Sequence, residues 1–246
     1  MTAIRTAVVL AAGMGTRLKG HTQEQPKGFL KIGGLSLIER SLDNLRSHGV
    51  SRVIIGTGYF HEHFDALRTR YPFVETSRNT EFASTGSMYT LYGLRTLINE
   101  PFLLLESDLL YDPVALSQLI DDPMNDIILA SGRTQSGDEV FIEASPEGTL
   151  VNMTKDAAKL DHISGELVGI SKLTTTALSA MCSFAETAYR LDRRLMNYED
   201  AMVGASHPLN VKVVPDLIWC EIDDESHLDR ALKQIYPKIA DRFKLS

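Results

Sequence analysis

The 246-residue sequence has few cysteines, no long apolar run and no excess of positive charge. Its two cysteines, Cys182 and Cys220, are far apart and lack metal-ligand spacing, which predicts two reduced, buried thiols and no zinc site. The N-terminus lacks a small-residue cleavage site, and no segment approaches the length of a membrane span. The net charge of −7 argues against nucleic-acid binding, because clustered Lys and Arg hold phosphate backbones. These absences predict a cytoplasmic globular protein that binds neither nucleic acid nor membrane.

Apolar, β-branched segments alternate with helical patterns along the first half of the chain. Continuous apolar runs such as "FLLLE" and "DIILA" are typical of strands buried on both faces. The pattern predicts strands over 6–12, 52–58, 73–77, 102–106 and 126–132, and helices over 36–48, 61–70, 86–98 and from Pro113. It predicts an α/β fold: a single domain with a Rossmann-like, mostly parallel mixed sheet flanked by helices.

The pattern changes after about residue 136. Shorter strands are predicted there, joined by turns at Gly148 and Gly165 and followed by helices over 174–195 and 199–205. A strand over 210–223 and a helix from Glu225 complete the chain. We therefore expect residues 136–246 to supply a small β-rich lid and return strands to the half formed by residues 1–135.

A glycine loop follows the first strand in "LAAGMGTRL", Leu10 to Leu18. It supplies two glycines of the dinucleotide motif G-x-G-x-x-G, but Leu18 replaces the third, and no acidic residue closes the second strand before Glu62. The P-loop motif is absent as well. What remains is a tight turn with free backbone N–H groups, followed by Arg17 and Lys27, which favours a polyphosphate site.

"LAAGMGTRL" followed by "QPKGFLKIGG" resembles the L-x-A-G-x-G-x-R…P-K signature of nucleotidyltransferases that make nucleotide-diphospho sugars and alcohols. The resemblance implies a GT-A-like nucleotidyltransferase fold and an enzyme that transfers NMP from a nucleoside triphosphate to a small phosphorylated acceptor, releasing pyrophosphate. Arg17 and Lys27 would neutralise the triphosphate; the alternative is that both are solvated surface charges. The nucleotide-binding residues of the loop would be Leu10, Ala11, Ala12, Gly13, Gly15 and Thr16.

Carboxylates at two places in the sequence predict a metal site. Asp108 follows the buried strand in "FLLLESD", at the edge where open α/β sheets bind ligands, and Glu221 and Asp223 share one face of a later strand. Oxygen ligands without His or Cys suit Mg²⁺. The alternative is an acidic helix N-terminus, which Asp224 and Glu225 fit better.

The predicted chemistry joins two anions, so its barrier is largely electrostatic and positional. Arg17, Lys27 and Asp108 are the predicted catalytic residues. An acceptor phosphate or phosphonate is already ionised near neutral pH, so neither a covalent nucleophile nor a separate general base is needed.

Further segments resemble the cytidylyltransferase branch, which uses CTP. They are "GSMYTLY", "ESDLLYD", "GELVGISKL" and "NYEDAMV". The resemblance implies that Thr85, Gly86 and Ser87 close over the base and ribose. It favours 2-aminoethylphosphonate as acceptor. Several alternatives remain open. The acceptor could be phosphocholine or a sugar 1-phosphate, UTP could replace CTP, and the protein could be a non-catalytic regulatory subunit.

The acceptor's cation requires anionic or aromatic walls. "NYEDAMV" supplies Tyr198, Glu199 and Asp200, and Trp219 precedes the predicted metal strand. The resemblance places Lys155 at the acceptor's phosphorus oxygens. Structural alternatives also stand: Tyr198 in the core, Glu199 and Asp200 as helix caps, and Lys155 as a solvated charge. The family often forms dimers, which leaves a homodimer open.

Overall fold

The computed structural model describes residues 3–21 and 24–245. Its strands are β1 (Thr6–Ala11), β2 (Lys31–Ile32), β3 (Leu35–Ser36), β4 (Arg52–Thr57), β5 (Val74–Arg78), β6 (Phe102–Glu106), β7 (Leu109–Tyr111), β8 (Ile127–Ser131), β9 (Phe141–Ala144), β10 (Leu150–Thr154), β11 (Gly165–Leu173), β12 (Asn210–Val214) and β13 (Trp219–Glu221). Its helices are α1 (Leu37–Ser47), α2 (His61–Arg70), α3 (Ser87–Leu94), α4 (Val114–Ile120), α5 (Thr175–Tyr189), α6 (Tyr198–Gly204), α7 (Glu225–Arg230) and α8 (Tyr236–Leu245). A π-helical turn, Ala231–Ile235, joins the last two, and short 3₁₀ helices lie at Thr16–His21, Lys27–Phe29, Phe82–Ser84 and Ala157–Lys159. None of the helices in these residues has the length and apolar character of a membrane span.

One mixed sheet of nine strands organises the described residues. Seven strands run in the order β10-β9-β11-β6-β1-β4-β5, while β8 pairs with β11 and β12. The pairs β1–β4, β1–β6, β4–β5 and β8–β12 are parallel, whereas β11 is antiparallel to β6, β8 and β9. It follows that only β10 and β11 run against the other seven strands. The mostly parallel mixed sheet predicted from the sequence is confirmed.

Strand β1 shows why the apolar runs form central strands. All six of its residues are buried. Ala7, Val9 and Ala11 pack in one hydrophobic core, while Val8 and Leu10 pack in another. Successive side chains of a strand point to opposite faces, so the two cores lie on the two faces of the sheet.

A third apolar cluster supports the segment between β1 and α1. It joins Leu18, Leu30 and Ile32 to the strand residue Leu110 and to Ile235 near the C-terminus. The capping box of α1, in which Ser36 and Glu39 bond reciprocally, fixes the end of this segment. The segment that carries the glycine loop and Lys27 is therefore held by its own core.

The second half of the chain differs from its predicted form in three places. The helix predicted over 174–195 ends at Tyr189, and residues 190–197 form a linker to α6. Gly165 begins the nine-residue strand β11 and makes no turn; a Cβ there would lie 2.8 Å from the carbonyl oxygen of Ser131, so close strand packing explains the glycine. The strand predicted over 210–223 is two strands, β12 beside β8 and β13 beside β7. Strands from both halves thus complete one sheet, and the functional division near residue 135 stays a prediction.

Candidate active site

The carboxyl ends of β1 and β6 form the centre of a cavity of about 320 Å³. The two strands are parallel neighbours, with Leu10 opposite Glu106. Because the chain builds β4 and β5 on one side of β1 and then returns to the other side for β6, this is the switch point at which such sheets bind ligands. The predicted site residues that line the cavity are Leu10, Ala11, Ala12, Gly13, Gly15, Lys27, Thr85, Gly86, Ser87, Asp108, Tyr198 and Glu221.

The glycine loop explains why the dinucleotide pattern breaks at Leu18. Gly15 has a φ of +61°, in the left-handed region that favours glycine, and its carbonyl accepts the N–H of Leu18. The Leu18 side chain is fully buried in the third apolar cluster. A 3₁₀ turn anchored by a large apolar side chain therefore follows β1, where a dinucleotide fold places a closely packed helix. Thr16 is not among the residues that line the cavity, and its role stays a prediction.

Lys27 reaches the end of β6 from the 3₁₀ helix that follows Pro26. A Cβ on the next residue, Gly28, would lie only 3.1 Å from the carbonyl oxygen of Ser107, so the glycine permits this close approach. The Lys27 ammonium lies 3.1 Å from Asp108 and also pairs with Asp223. Burial opposes the charge, but the two carboxylates outweigh it and raise the pKa of Lys27. Lys27 is therefore a permanent cation at the first cavity.

Arg17 lies beside Lys27 but lines a second, adjoining cavity of about 250 Å³. Its guanidinium lies 2.8 Å from Asp138 and 2.9 Å from Asp223, and the hydrogen bond to Asp138 is the main cause of its raised pKa. Asp138 was missed by sequence reasoning because its loop carries no motif. Both predicted polyphosphate-binding cations thus lie next to the glycine loop, each already paired with carboxylates.

Three carboxylates meet between the two cavities. Glu106, Asp108 and Glu221 each offer an oxygen within 4.8 Å of the others. The short pair of β7 and β13 places Glu221 opposite Leu109, directly after Asp108. Burial, together with the neighbouring carboxylates, raises the pKa of Glu106 to about 8 and that of Glu221 to about 10.

The donor set of this cluster fits a hard divalent cation. Three carboxylate oxygens without His or Cys are ligands that Mg²⁺ accepts, and a cation would relieve the mutual repulsion that raises the two pKa values. The predicted metal set contained Asp108, Glu221 and Asp223. The structure brings the first two together with Glu106, which was not predicted as a ligand. Its position at the end of β6 could have indicated this role from the sequence. The Asp223 carboxylate forms ion pairs with Lys27 and Arg17, so its role as a metal ligand stays a prediction.

Glu106 is fixed from two sides. Its Oε1 accepts a 2.8 Å hydrogen bond from the Tyr198 hydroxyl, so this tyrosine is both buried and part of the site. On the other side lies Gly169, where β11 bulges and φ is +80°. Tyr198 and Gly169 therefore aim the Glu106 carboxylate at the cluster.

The start of α3 lines the first cavity but does not offer all its N–H groups to a ligand. The N–H of Gly86 donates to the carbonyl of Arg194 at 2.8 Å, and that of Met88 donates to Met196 at 3.2 Å. The linker between α5 and α6 thus caps the N-terminus of this helix. This contact is long-range in the sequence, so no local pattern predicts it. Thr85 and Ser87 remain at the cavity wall, and their contact with a base or ribose stays a prediction.

The second cavity contains most of the predicted acceptor residues. Lys155, Glu199 and Trp219 line it, and it shares Glu106 and Glu221 with the first cavity. Glu199 Oε2 and Trp219 Nε1 are buried and make no hydrogen bond to the residues that the structure describes. Burial raises the pKa of Glu199 to about 7. Both residues line the same cavity, and buried polar atoms without a partner are uncommon in folded proteins, so this cavity is a candidate ligand site.

Asp200 lies differently from its neighbours. It is not among the lining residues of either cavity, and its carboxylate accepts the N–H of Asn197 at 2.9 Å in the capping box of α6. The geometry therefore supports the capping alternative, while a contact with the acceptor stays a prediction.

A family model for the MobA-like NTP transferase domain matches residues 7–181. The chain belongs to this family. The matched region includes Arg17, Lys27 and Asp108 and ends before Tyr198 and Glu221. The nucleotidyltransferase superfamily predicted from the glycine loop and Pro-Lys motif is confirmed, and the chain is a nucleotidyltransferase.

Three relatives are similar to the chain over most of its length. CMP-5'-(3-aminopropyl)phosphonate synthase of Streptomyces rubellomurinus is 25% identical over 89% of the chain, which spans 37% of that longer protein. 2-Aminoethylphosphonate cytidylyltransferase of Lancefieldella rimae is 28% identical, covering 86% of the chain and 87% of the relative. Choline-phosphate cytidylyltransferase of Streptococcus pneumoniae is 26% identical, covering 80% and 82%.

The fold agrees with a solved structure of the inositol-1-phosphate CTP transferase from T. maritima. The TM-score is 0.82 at 21% identity, over 98% of both chains. This likeness confirms the predicted nucleotidyltransferase-like fold.

Proposed function

We propose that the chain transfers CMP from CTP to a small phosphonate or phosphate acceptor that carries a cation, and that the acceptor is 2-aminoethylphosphonate. The observation that carries the proposal is the pair of adjoining cavities that share Glu106 and Glu221. One is lined by residues of the glycine loop and Lys27; the other is lined by Lys155 and by Glu199, whose Oε2 has no hydrogen-bond partner among the described residues. The names of the relatives, two aminoalkylphosphonate enzymes and one choline-phosphate enzyme, support the same reaction class.

The nucleotide half of the reaction rests on the glycine loop and the cations beside it. CTP in the first cavity places its phosphates between the backbone of residues 11–15 and the Lys27 ammonium, with Arg17 within reach. Permanent cations preorganised in a partly buried site stabilise the charge that develops on leaving pyrophosphate. Glu106, Asp108 and Glu221 would hold Mg²⁺, which when bound would neutralise the α-phosphate and the acceptor oxygens.

The acceptor half uses the second cavity to orient a zwitterion. Lys155 receives the phosphonate oxygens, and Glu199 with Trp219 receives the ammonium end. A phosphonate oxygen then attacks the α-phosphorus of CTP, forming a new P–O bond as the bond to the bridging oxygen breaks and pyrophosphate leaves. The oxygen is already ionised, so no side chain has to remove a proton.

The second cavity, which would receive the acceptor's ammonium group, is lined by more carboxylates than aromatic rings. A primary ammonium donates hydrogen bonds to Glu199, whereas a quaternary ammonium gains most from several aromatic faces. Among the described residues that line this cavity, Trp219 is the one Trp, Tyr or Phe. This difference supports 2-aminoethylphosphonate over phosphocholine.

Pyrophosphate release tests the proposal. CTP and UTP are each combined with 2-aminoethylphosphonate, phosphocholine, phosphoethanolamine and sugar 1-phosphates. We expect the highest kcat/KM with CTP and 2-aminoethylphosphonate. Turnover with a sugar 1-phosphate alone would overturn the cytidylyltransferase assignment, and no turnover with any pair would favour a nucleotide-binding regulatory protein.

A further inference from the structure

Six charged side chains of alternating sign form a continuous row across both cavities. Asp138 accepts from Lys155 at 2.5 Å and from Arg17 at 2.8 Å. Arg17 continues to Asp223 at 2.9 Å, and Lys27 joins Asp223 to Asp108. In order, the row is Lys155, Asp138, Arg17, Asp223, Lys27 and Asp108. The cations assigned to the two substrates are thus linked through one carboxylate, Asp138.

The Asp138 loop is held in place from several sides. Thr134 donates its N–H to Glu166 at 2.8 Å and accepts from Arg230 at 3.2 Å, while the Ser136 carbonyl lies 3.2 Å from His227 Nε2. These contacts hold the loop two and four residues before Asp138, in addition to the ion pairs that Asp138 itself makes.

Either substrate anion has to compete with a carboxylate for these cations. Both terminal nitrogens of Arg17 are occupied, one by Asp138 and the other by Asp223. Each of these carboxylates also pairs with a second cation, but the Asp223 side chain is only 4% exposed, whereas that of Asp138 is 22% exposed. Asp138 is therefore the partner that a phosphate can displace at lower cost.

We infer that Asp138 is a shared, displaceable counter-ion that occupies Arg17 and Lys155 until substrate anions replace it. It limits the affinity for polyphosphate, so that pyrophosphate leaves after each turnover. Asp138 is then a positioning residue that acts through two cations. The inference rests on the proposed function because that function assigns Arg17 to polyphosphate and Lys155 to the acceptor.

Pyrophosphate binding measured by calorimetry at fixed Mg²⁺ tests this without any acceptor. Asp138→Asn removes the competing charge and keeps the side-chain size, so we expect pyrophosphate to bind about tenfold tighter, the order expected for one charge-assisted hydrogen bond. Asp138→Ala should change the affinity in the same direction. Circular dichroism checks that each variant is folded.

Glu139→Gln is the matched control, because it removes one negative charge from the next residue of the same loop. It should alter pyrophosphate affinity less than twofold, which separates the specific contact from net charge. Equal or weaker binding in both Asp138 variants would overturn the inference and make Asp138 a support for Arg17. A wild-type protein that binds neither pyrophosphate nor CTP would overturn the proposed function and this inference with it.

A double-mutant cycle tests whether the counter-ion is shared. Lys155→Met leaves Asp138 with Arg17 alone, so the pair should tighten and pyrophosphate should bind more weakly. In the Asp138→Asn background this effect should shrink by at least threefold. An equal effect of Lys155→Met on pyrophosphate affinity in both backgrounds would show that Asp138 is not shared between Arg17 and Lys155.

Discussion

Gly169 lies directly against Glu106: a Cβ built on the glycine would be 2.5 Å from Glu106 Oε2. The glycine also has a φ of +80° at the bulge of β11. The same position therefore has to be glycine for two reasons, backbone conformation and space for the carboxylate.

Gly169→Ala should lower both stability and turnover. A non-glycine residue in the left-handed region costs about 1–2 kcal/mol, and the Glu106 carboxylate has to move from the cluster. Thermal unfolding and pyrophosphate release measure the two effects. Gly93→Ala, near the end of α3 with open space around the added Cβ, is the control: it should stabilise the protein by up to about 1 kcal/mol and leave turnover unchanged. Unchanged turnover in Gly169→Ala would show that Glu106 needs no such placement.

Asp108→Asn should abolish most Mg²⁺-dependent pyrophosphate release while leaving the fold intact. The change removes one charge from the carboxylate cluster and one partner of Lys27, and we expect kcat to fall about 100-fold or more. Asp229→Asn removes a surface partner of Lys233 and should leave kcat unchanged. Wild-type turnover in Asp108→Asn would remove this residue from the mechanism.

Mg²⁺ should raise the melting temperature of the protein even without substrate. A cation bound only to the folded state at one hundred times its Kd adds about 2.7 kcal/mol. Glu221→Gln should lose this response because it removes one of the three clustered carboxylates. NaCl at matched ionic strength is the control that separates Mg²⁺ binding from general screening of charges. An unchanged melting temperature of the wild-type protein on addition of Mg²⁺ would contradict the metal site. Asp223→Asn in the same assay tests whether Asp223 is also a ligand.

Glu199→Gln should raise the KM for the acceptor about tenfold with a smaller change in the KM for CTP. The variant replaces a buried carboxylate by an amide and so removes a charge-assisted hydrogen bond to the ammonium. Asp200→Asn makes the same chemical change one residue later, where the carboxylate caps α6. We expect this control to lower stability by up to about 1 kcal/mol and leave acceptor KM unchanged; a rise in its KM instead would assign Asp200 to the acceptor.

The sequence predicted those parts of the fold that depend on local pattern. The buried runs became β1, β6 and β8, and the predicted helix over 61–70 agrees with α2 residue for residue. The two parts of β12–β13 could not be separated, because an apolar run does not reveal which neighbour each segment pairs with. Gly165 was misinterpreted for a related reason: the sequence alone does not show whether a glycine is present for a turn or for close packing between strands.

The position of the site was predictable from two kinds of sequence signal. The glycine loop with its Pro-Lys motif pointed to Arg17 and Lys27, and carboxylates at strands pointed to Asp108 and Glu221; the structure places these residues close together, while their roles stay predictions. Asp138 was not predictable, because its importance arises from two cations 121 and 17 positions away in the chain.

Trp219 gives the second cavity, the proposed acceptor site, a built-in optical reporter. It is the single tryptophan of the chain, it is 8% exposed, and its indole nitrogen has no hydrogen-bond partner among the described residues. Indole emission responds to the polarity and charge around the ring, so a ligand that enters this cavity changes the whole tryptophan signal of the protein. Tryptophan fluorescence can therefore test whether the proposed acceptor binds there, without a label, a substitution or turnover.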